Sequence, residues 1–189
     1  MDDEYQKPIV LAFAGPNGSG KTTVTRRLGL VGAYVNADDI KAKFGLSDLE
    51  AAQEAEELRN HLVNNGESFS FETVLSTDRN LLLLQKAKAL GYIVKCVYVL
   101  TCNPDINVYR VKVRFQSGEG HDVEEGKVRE RYRKALDLLP RVIDVCDDII
   151  IFDNSGHTPH IIIHKDTQGL MVSPNEYWTA TDIKTICGL

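Results

Sequence analysis

The chain has 189 residues, 43% of them hydrophobic and 26% charged, with a formal net charge of −5 at pH 7. That length makes one domain over 1–189 the simplest organisation and lets roughly 70% of the unfolded surface be buried. The acidic balance argues against a general nucleic-acid or membrane-surface binder, and no run reaches the ~18 apolar residues of a membrane span. The first eight residues, MDDEYQKP, are polar and acidic, unlike a secretory leader. Residues 8–14 read as a buried strand that ends at Gly15, and residues 21–30 as a helix opening at Lys21. Residues 34–36 read as a short strand, with a helix expected from near Ile40. Residues 47–65 read as a polar helix: Ser47 caps it, Glu50 completes a capping box, and Leu49, Ala52, Ala55, Leu58 and Leu62 follow a helical period. Residues 68–72 alternate as a strand does, residues 78–90 form a helix stopped by Gly91, and residues 92–100 are a β-branched strand. Pro104 opens a helix to about Gln116, the polar stretch SGEGHDVEEG breaks it, residues 127–146 form a further helix, and residues 148–153 a strand.

This alternation predicts an α/β fold with a mainly parallel sheet covered by helices on both faces. A C-terminal extension over about 157–189 reads differently. Residues 160–164 and 170–172, around Gln168-Gly169, suggest a β-hairpin, and a short helix is expected from about Asn175. Cys96, Cys102, Cys146 and Cys187 are widely spaced with no Cys-x-x-Cys pair, so they read as reduced thiols of a cytoplasmic protein.

The strongest chemical signal is GPNGSGKTT, residues 15–23. Gly15, Pro16, Asn17, Gly18, Ser19, Gly20, Lys21 and Thr22 fit G-x-x-x-x-G-K-[ST] without a gap, and Thr23 follows. Glycines let the backbone curl so that N–H groups converge on phosphate oxygens, and a helix starting at Lys21 aims its positive end at the same anion. Lys21 would neutralise β/γ-phosphate charge, and Thr22 would ligate Mg²⁺. The implied cofactors are ATP (or GTP) and Mg²⁺.

The acceptor side is read from strand ends, because ligands of open parallel sheets gather at that edge. In NADDI, residues 36–40, Asp38 is the candidate general base, and Asp39 a helix cap or a ligand of Mg²⁺-bound water. In FETVLS, residues 71–76, Glu72 is a candidate for substrate hydroxyls or Mg²⁺-bound water, while Thr73 is either a substrate contact or, like Ser76, a helix cap. Arg110 and Arg114 share one helix face, Arg129 and Arg133 another, and Arg131 points elsewhere. These arginines flank a candidate lid over about 115–127 that would close on the transferring phosphoryl group; the bland alternative is a solvated face paired with Glu124, Glu125 and Glu130. His121 is either a phosphate contact or an exposed loop residue. Asp153-Asn154-Ser155 is either a far wall of the nucleotide site or a turn.

The ordered set GPNGSGKTT, NADDI, FETVLS, RVKVRFQSGEGHDVEEGKVRERYRKAL and FDNS resembles the zeta-toxin group of P-loop small-molecule kinases, especially its shorter members, over about residues 8–155. The resemblance implies a P-loop kinase-like three-layer sandwich and ATP/Mg²⁺-dependent phosphorylation of UDP-N-acetylglucosamine on its amino sugar. It also implies an antitoxin protein as a partner. By position, Lys21 and Thr22 match the phosphate and metal residues, Asp38 the catalytic aspartate, Lys41 a following basic residue, Glu72 a sugar-contacting glutamate and Arg114 the first lid arginine. The second lid arginine falls near His121, with Arg131 taking its part from the following helix. The toxins follow that glutamate with a small residue, a threonine and, two positions later, an arginine; here Thr73, Val74, Leu75 and Ser76 stand instead.

Two readings of the chemistry compete. One is transfer of the γ-phosphoryl group to a hydroxyl of a small metabolite. The other is a nucleotide-hydrolysing switch. Hydrolytic switches commonly end an apolar strand in Asp-Glu, whereas IIIFD is followed here by Asn154 and Ser155, which favours transfer.

Overall fold

The computed structural model describes residues 7–118 and 123–189. In chain order the elements are β1 (Ile9–Ala14), α1 (Lys21–Thr25), β2 (Ala33–Val35), α2 (Ala37–Phe44), α3 (Asp48–Asn65), β3 (Phe69–Thr73) and α4 (Asp78–Ala89). Then follow β4 (Ile93–Leu100), α5 (Pro104–Gln116), α6 (Glu125–Val145), β5 (Asp148–Asp153), β6 (His160–Asp166), β7 (Gly169–Val172) and α7 (Ala180–Cys187). The strands form one seven-stranded sheet in the order β2-β3-β1-β4-β5-β6-β7. The first five run parallel, and the hairpin β6–β7 adds two antiparallel strands beside β5.

β1 is apolar on both faces because it is central and covered twice. Val10, Ala12 and Ala14 join the main core with residues of α3, α4, α6 and α7. Leu11 and Phe13 point the other way and pack with Val24 of α1, Val97 and Val99. The result is a three-layer α/β sandwich with a mainly parallel sheet. β3 and β4 flank β1 on opposite sides, so the chain reverses direction across the sheet there, and the crevice at the strand C-termini is where such folds bind ligands.

Local chemistry explains most boundaries. Ser47 and Glu50 form the expected capping box on α3, and Asn103 caps α5 ahead of Pro104. Five expectations need correction. α1 ends at Thr25 rather than continuing to 30, because Val31 is pinned to β3 by two hydrogen bonds with the Ser70 hydroxyl, at 2.7 and 2.8 Å. α2 begins at Ala37, where the Asn36 side chain accepts from the Asp38 N–H, so Asp39 is not the cap. α3 turns Ala51, Ala55, Arg59, Leu62 and Val63 inward; alanines let it approach the sheet, while Leu49 is 69% exposed and Leu58 40%. The last helix starts at Ala180 behind a Thr179–Asp182 capping box, because Asn175 is used in a turn, accepting from the N–H groups of Tyr177 and Trp178. Likewise neither Thr73 nor Ser76 caps α4; its N-cap is Thr77. All four cysteines are free. Among the described residues, no helix is long and apolar enough to cross a membrane.

Candidate active site

The loop between β1 and α1 wraps around its own lysine. Lys21 Nζ donates to the carbonyls of Gly15 (2.9 Å) and Pro16 (3.2 Å), and stands 4.0 Å from Glu72 Oε1. Burial pushes the Lys21 ammonium below its ordinary pKa of 10.5; Glu72 and Asp38 act against that shift and Arg114 adds to it. Two glycines are required by close approach rather than by flexibility alone. A Cβ on Gly18 would lie 2.4 Å from the Asn107 carbonyl oxygen, and one on Gly20 would lie 2.2 Å from Asn154 Nδ2. Both also have positive φ, at 76° and 93°.

Three adjoining clefts open beside this loop. One of about 220 Å³ is lined by Asn17, Gly18, Lys21, Asp38, Glu72, Thr73 and Arg114, among others. One of about 330 Å³ brings Thr22, Thr23, Arg110 and Arg114 together with Lys21 and Glu72. One of about 410 Å³ adds Lys41 and Arg131 to Asn17, Asp38 and Arg114. Asp38 reaches the edge from the first turn of α2, and Glu72 and Thr73 from the end of β3. Glu72 accepts from the Tyr34 hydroxyl at 3.3 Å. The Thr73 hydroxyl accepts from Leu75 N (3.0 Å) and Asn80 Nδ2 (2.8 Å), which leaves it free to act toward a ligand only as a donor.

The arginines divide. Arg114 borders all three clefts. Arg131 Nη1 donates to Asn17 Oδ1 at 3.3 Å, across the loop mouth. Arg110 Nη1 donates to the Asn154 carbonyl at 2.8 Å, and burial lowers its pKa. Arg129 belongs to the bland alternative: it is paired with Asp105 (2.6 Å) and Glu125 (2.8 Å). Val123 packs against Val108, Val111 and Val128, which ties α5 to α6 beside the candidate lid. His121 lies outside the described residues.

A family model described as zeta toxin matches residues 1–165. The chain belongs to the zeta toxin family. It is similar to an uncharacterized protein of Haemophilus influenzae, 29% identical over 126 residues that cover 64% of this chain and 89% of that one. The fold is similar to that in the crystal structure of AvrRxo1-ORF1:AvrRxo1-ORF2 with sulphate ions, with a TM-score of 0.71, 17% identity, and coverage of 97% of this chain and 65% of that one. The same complex with ATP gives a TM-score of 0.71 at 17% identity, covering 97% and 64%. A structure from the PezAT chromosomal toxin–antitoxin system of Streptococcus pneumoniae gives 0.56 at 19% identity, covering 81% and 71%. This zeta toxin family chain therefore spans just under two thirds of the AvrRxo1 complex chains it matches.

Within this zeta toxin fold, the loop residues fit a nucleotide polyphosphate. The Ser19 hydroxyl is buried with no hydrogen-bond partner among the described residues, and Lys21 is a buried cation on the same loop. Thr22 borders the cleft and could ligate Mg²⁺ alongside phosphate oxygens and water. Sequence reasoning missed the braces that hold the loop. Asn107 Nδ2 donates to the Asn17 carbonyl at 2.6 Å, and its Oδ1 accepts from the Thr101 hydroxyl. The Tyr132 hydroxyl in turn donates to the Thr101 carbonyl at 2.6 Å. Asn154 Nδ2 donates to the Ser19 carbonyl at 2.7 Å. Of the two alternatives for FDNS, the turn is present: Asp153 accepts from Ser155 and from Asn175 Nδ2 (2.7 Å), while Asn154 braces the loop. Asn154 carried a faint sequence signal as a strand-end residue; Asn107 carried none.

Proposed function

We propose that this protein is an ATP/Mg²⁺-dependent kinase that transfers the γ-phosphoryl group to a hydroxyl of a small metabolite. The observation that carries the reading is the convergence of Lys21, Asp38, Glu72 and Arg114 on one cleft at the C-terminal edge of the parallel strands. Asp38 accepts the proton of the attacking hydroxyl as the new O–P bond forms and the bond to the bridging β–γ oxygen breaks. Lys21 stabilises the negative charge on the β- and γ-phosphoryl oxygens. Arg114, with Arg131 and Arg110 behind it, neutralises charge on the phosphoryl group in flight. Thr22 would hold Mg²⁺, which would supply further neutralisation of phosphate charge. Glu72 and Thr73 orient the acceptor.

UDP-N-acetylglucosamine is the first acceptor to test, on the strength of family membership. Ser76 in place of an arginine removes one cation that would hold a diphosphate, so a smaller or less charged sugar acceptor is the second. An antitoxin partner and a cytoplasmic location belong to the same reading, since one structural relative comes from a toxin–antitoxin system. Hydrolysis is less well supported: Asp153, the acidic residue ending β5, is 1% exposed and taken up by Ser155 and Asn175 rather than by a water-positioning role.

The test is incubation with γ-labelled ATP, Mg²⁺ and a panel of nucleotide sugars, sugars and nucleosides. Label on an acceptor is the expected result; label appearing only as free phosphate would replace transfer with hydrolysis. Asp38→Asn should keep nucleotide affinity, since the loop is unchanged, and lose transfer by roughly 10²–10⁴-fold. An equally active Asp38→Asn enzyme would remove Asp38 from the mechanism.

A further inference from the structure

Behind the sheet edge, between α3 and α4, a cleft of about 230 Å³ shares no lining residue with the three clefts of the nucleotide loop. Three cations border it, Arg59, Arg79 and Lys86, together with the amides of Asn60 and Asn80 and a single carboxylate, Glu56. Glu56 is engaged with Arg79 at 3.0 Å. Arg59 is only 7% exposed, and its guanidinium lies 5.3 Å over the Phe71 ring. Its Nε has no hydrogen-bond partner among the described residues. Burial pushes Arg59 down to about 10, so it remains a cation at neutral pH.

A buried cation with an unpaired N–H is unfavourable by several kcal/mol in general terms unless an anion or acceptor meets it. The ring beneath Arg59 offsets part of that desolvation. It does not account for two further cations opening onto the same space. A single water could accept from Nε, but it would not balance a lining with three positive groups and one negative. The volume is below the ~300 Å³ at which pockets for drug-sized ligands begin, so a whole nucleotide is too large. A tetrahedral oxyanion suits the donors: the guanidinium fork of Arg59, the more exposed Arg79 and Lys86, and amide N–H groups.

We propose that the α3–α4 cleft is an oxyanion site distinct from the nucleotide loop, taking inorganic phosphate or the phosphoryl end of a small metabolite. Asn80 connects it to the rest of the molecule. The same side chain borders the cleft and donates to Thr73 Oγ1, and Thr73 lines the candidate acceptor cleft on β3. An anion held here would therefore bear on the residue that orients the acceptor.

The test is a titration with inorganic phosphate, followed by ³¹P line broadening and calorimetry, on the full chain carrying Lys21→Ala to suppress the loop site. One saturable site is expected. The exposed pair Arg79→Gln/Lys86→Gln, which leaves the buried Arg59 in place, should weaken that binding roughly tenfold or more, the equivalent of at least one charge-assisted hydrogen bond. Removing two remote charges instead, Lys134→Gln/Lys184→Gln, should leave it unchanged. Absence of saturable binding in the Lys21→Ala chain would overturn the proposal, as would equal losses in the two double variants, which would reduce the effect to net charge. A glycerol phosphate arm separates the sources: tighter binding than inorganic phosphate assigns the site to a phosphorylated metabolite, equal or weaker binding to the free ion. None of these readouts requires turnover, so the outcome is independent of the kinase reading.

Discussion

Lys21 holds its charge where the protein disfavours it. Burial lowers its pKa from 10.5, with Glu72 and Asp38 supporting the cation and Arg114 opposing it. Below the lowered pKa the side chain is a cation and attracts phosphate; as pH rises through that value it loses its proton and the attraction goes. The pH profile of kcat/KM reports groups of the free enzyme. Its alkaline limb should therefore fall below 10.5, earlier than an ordinary lysine would allow. Lys21→Arg, although slower, keeps its charge at any accessible pH and should move that limb upward. A limb unchanged by Lys21→Arg would assign it to another group. The same residue shows what a sequence conveys well: the motif specifies Lys21 because its neighbours along the chain build the site. Asp38 and Glu72 were legible for a related reason, each lying at or just after a strand end.

Elements hold that local site together through contacts the sequence does not advertise. Asn107 looks like a surface residue three positions after Pro104, on a helix of ordinary amphipathic pattern. It is 0% exposed because it reaches a carbonyl 90 residues earlier in the chain. Arg129 had the opposite fate. Its spacing matched a lid arginine, but Asp105 on the facing helix was close enough to claim it. The inward face of α3 was read correctly at Ala55 and Leu62 and wrongly at Leu49 and Leu58, because the small Ala51 and Ala55 govern how near the first half of the helix can come to the sheet. A pairing between distant elements decides each case, and no local period encodes it. Asn107→Ala should therefore act through the loop. It removes the side-chain donor to the Asn17 carbonyl and leaves the Thr101 hydroxyl only the Asn103 carbonyl at 3.2 Å, at about 1–3 kcal/mol of stability. Nucleotide affinity should fall with it. Asn103→Ala, which removes the exposed cap of the same helix, should cost about 1 kcal/mol without that loss of affinity. Calorimetry of unfolding and of nucleotide binding on both variants separates the two effects. Equal nucleotide affinity in both would mean that the brace is structural only.

At the scale of the whole molecule, the strand and helix alternation fixed the parallel half, and the hairpin was visible from its turn and flanking β-branched runs. What periodicity could not convey is that the extension belongs to the same core. β6 pairs with β5, and Ile162, Ile163, Trp178, Ile183 and Cys187 join the cluster that contains Val10, Ala12 and Ala14 of β1. Gly188 lies against Pro140 of α6, where an added Cβ would come within 3.2 Å. The zeta toxin match ends at 165, so an appendage that unfolds separately is the obvious alternative. We expect instead one cooperative unit over the described residues. Burying Trp178, Ile183 and Cys187 contributes several kcal/mol at about 25 cal/mol per Å², a large share of the ~5–15 kcal/mol that stabilises a typical domain. Trp178 is the sole tryptophan in the chain and is 6% exposed, which makes it a reporter of the tail alone. Far-UV circular dichroism reports mainly the seven helices and seven strands of the described structure. In urea, the Trp178 fluorescence transition and the circular dichroism transition should coincide in midpoint and slope. A Trp178 transition at clearly lower urea would make the tail a separate, weaker unit and would confine the cooperative core to the parallel sheet and its helices.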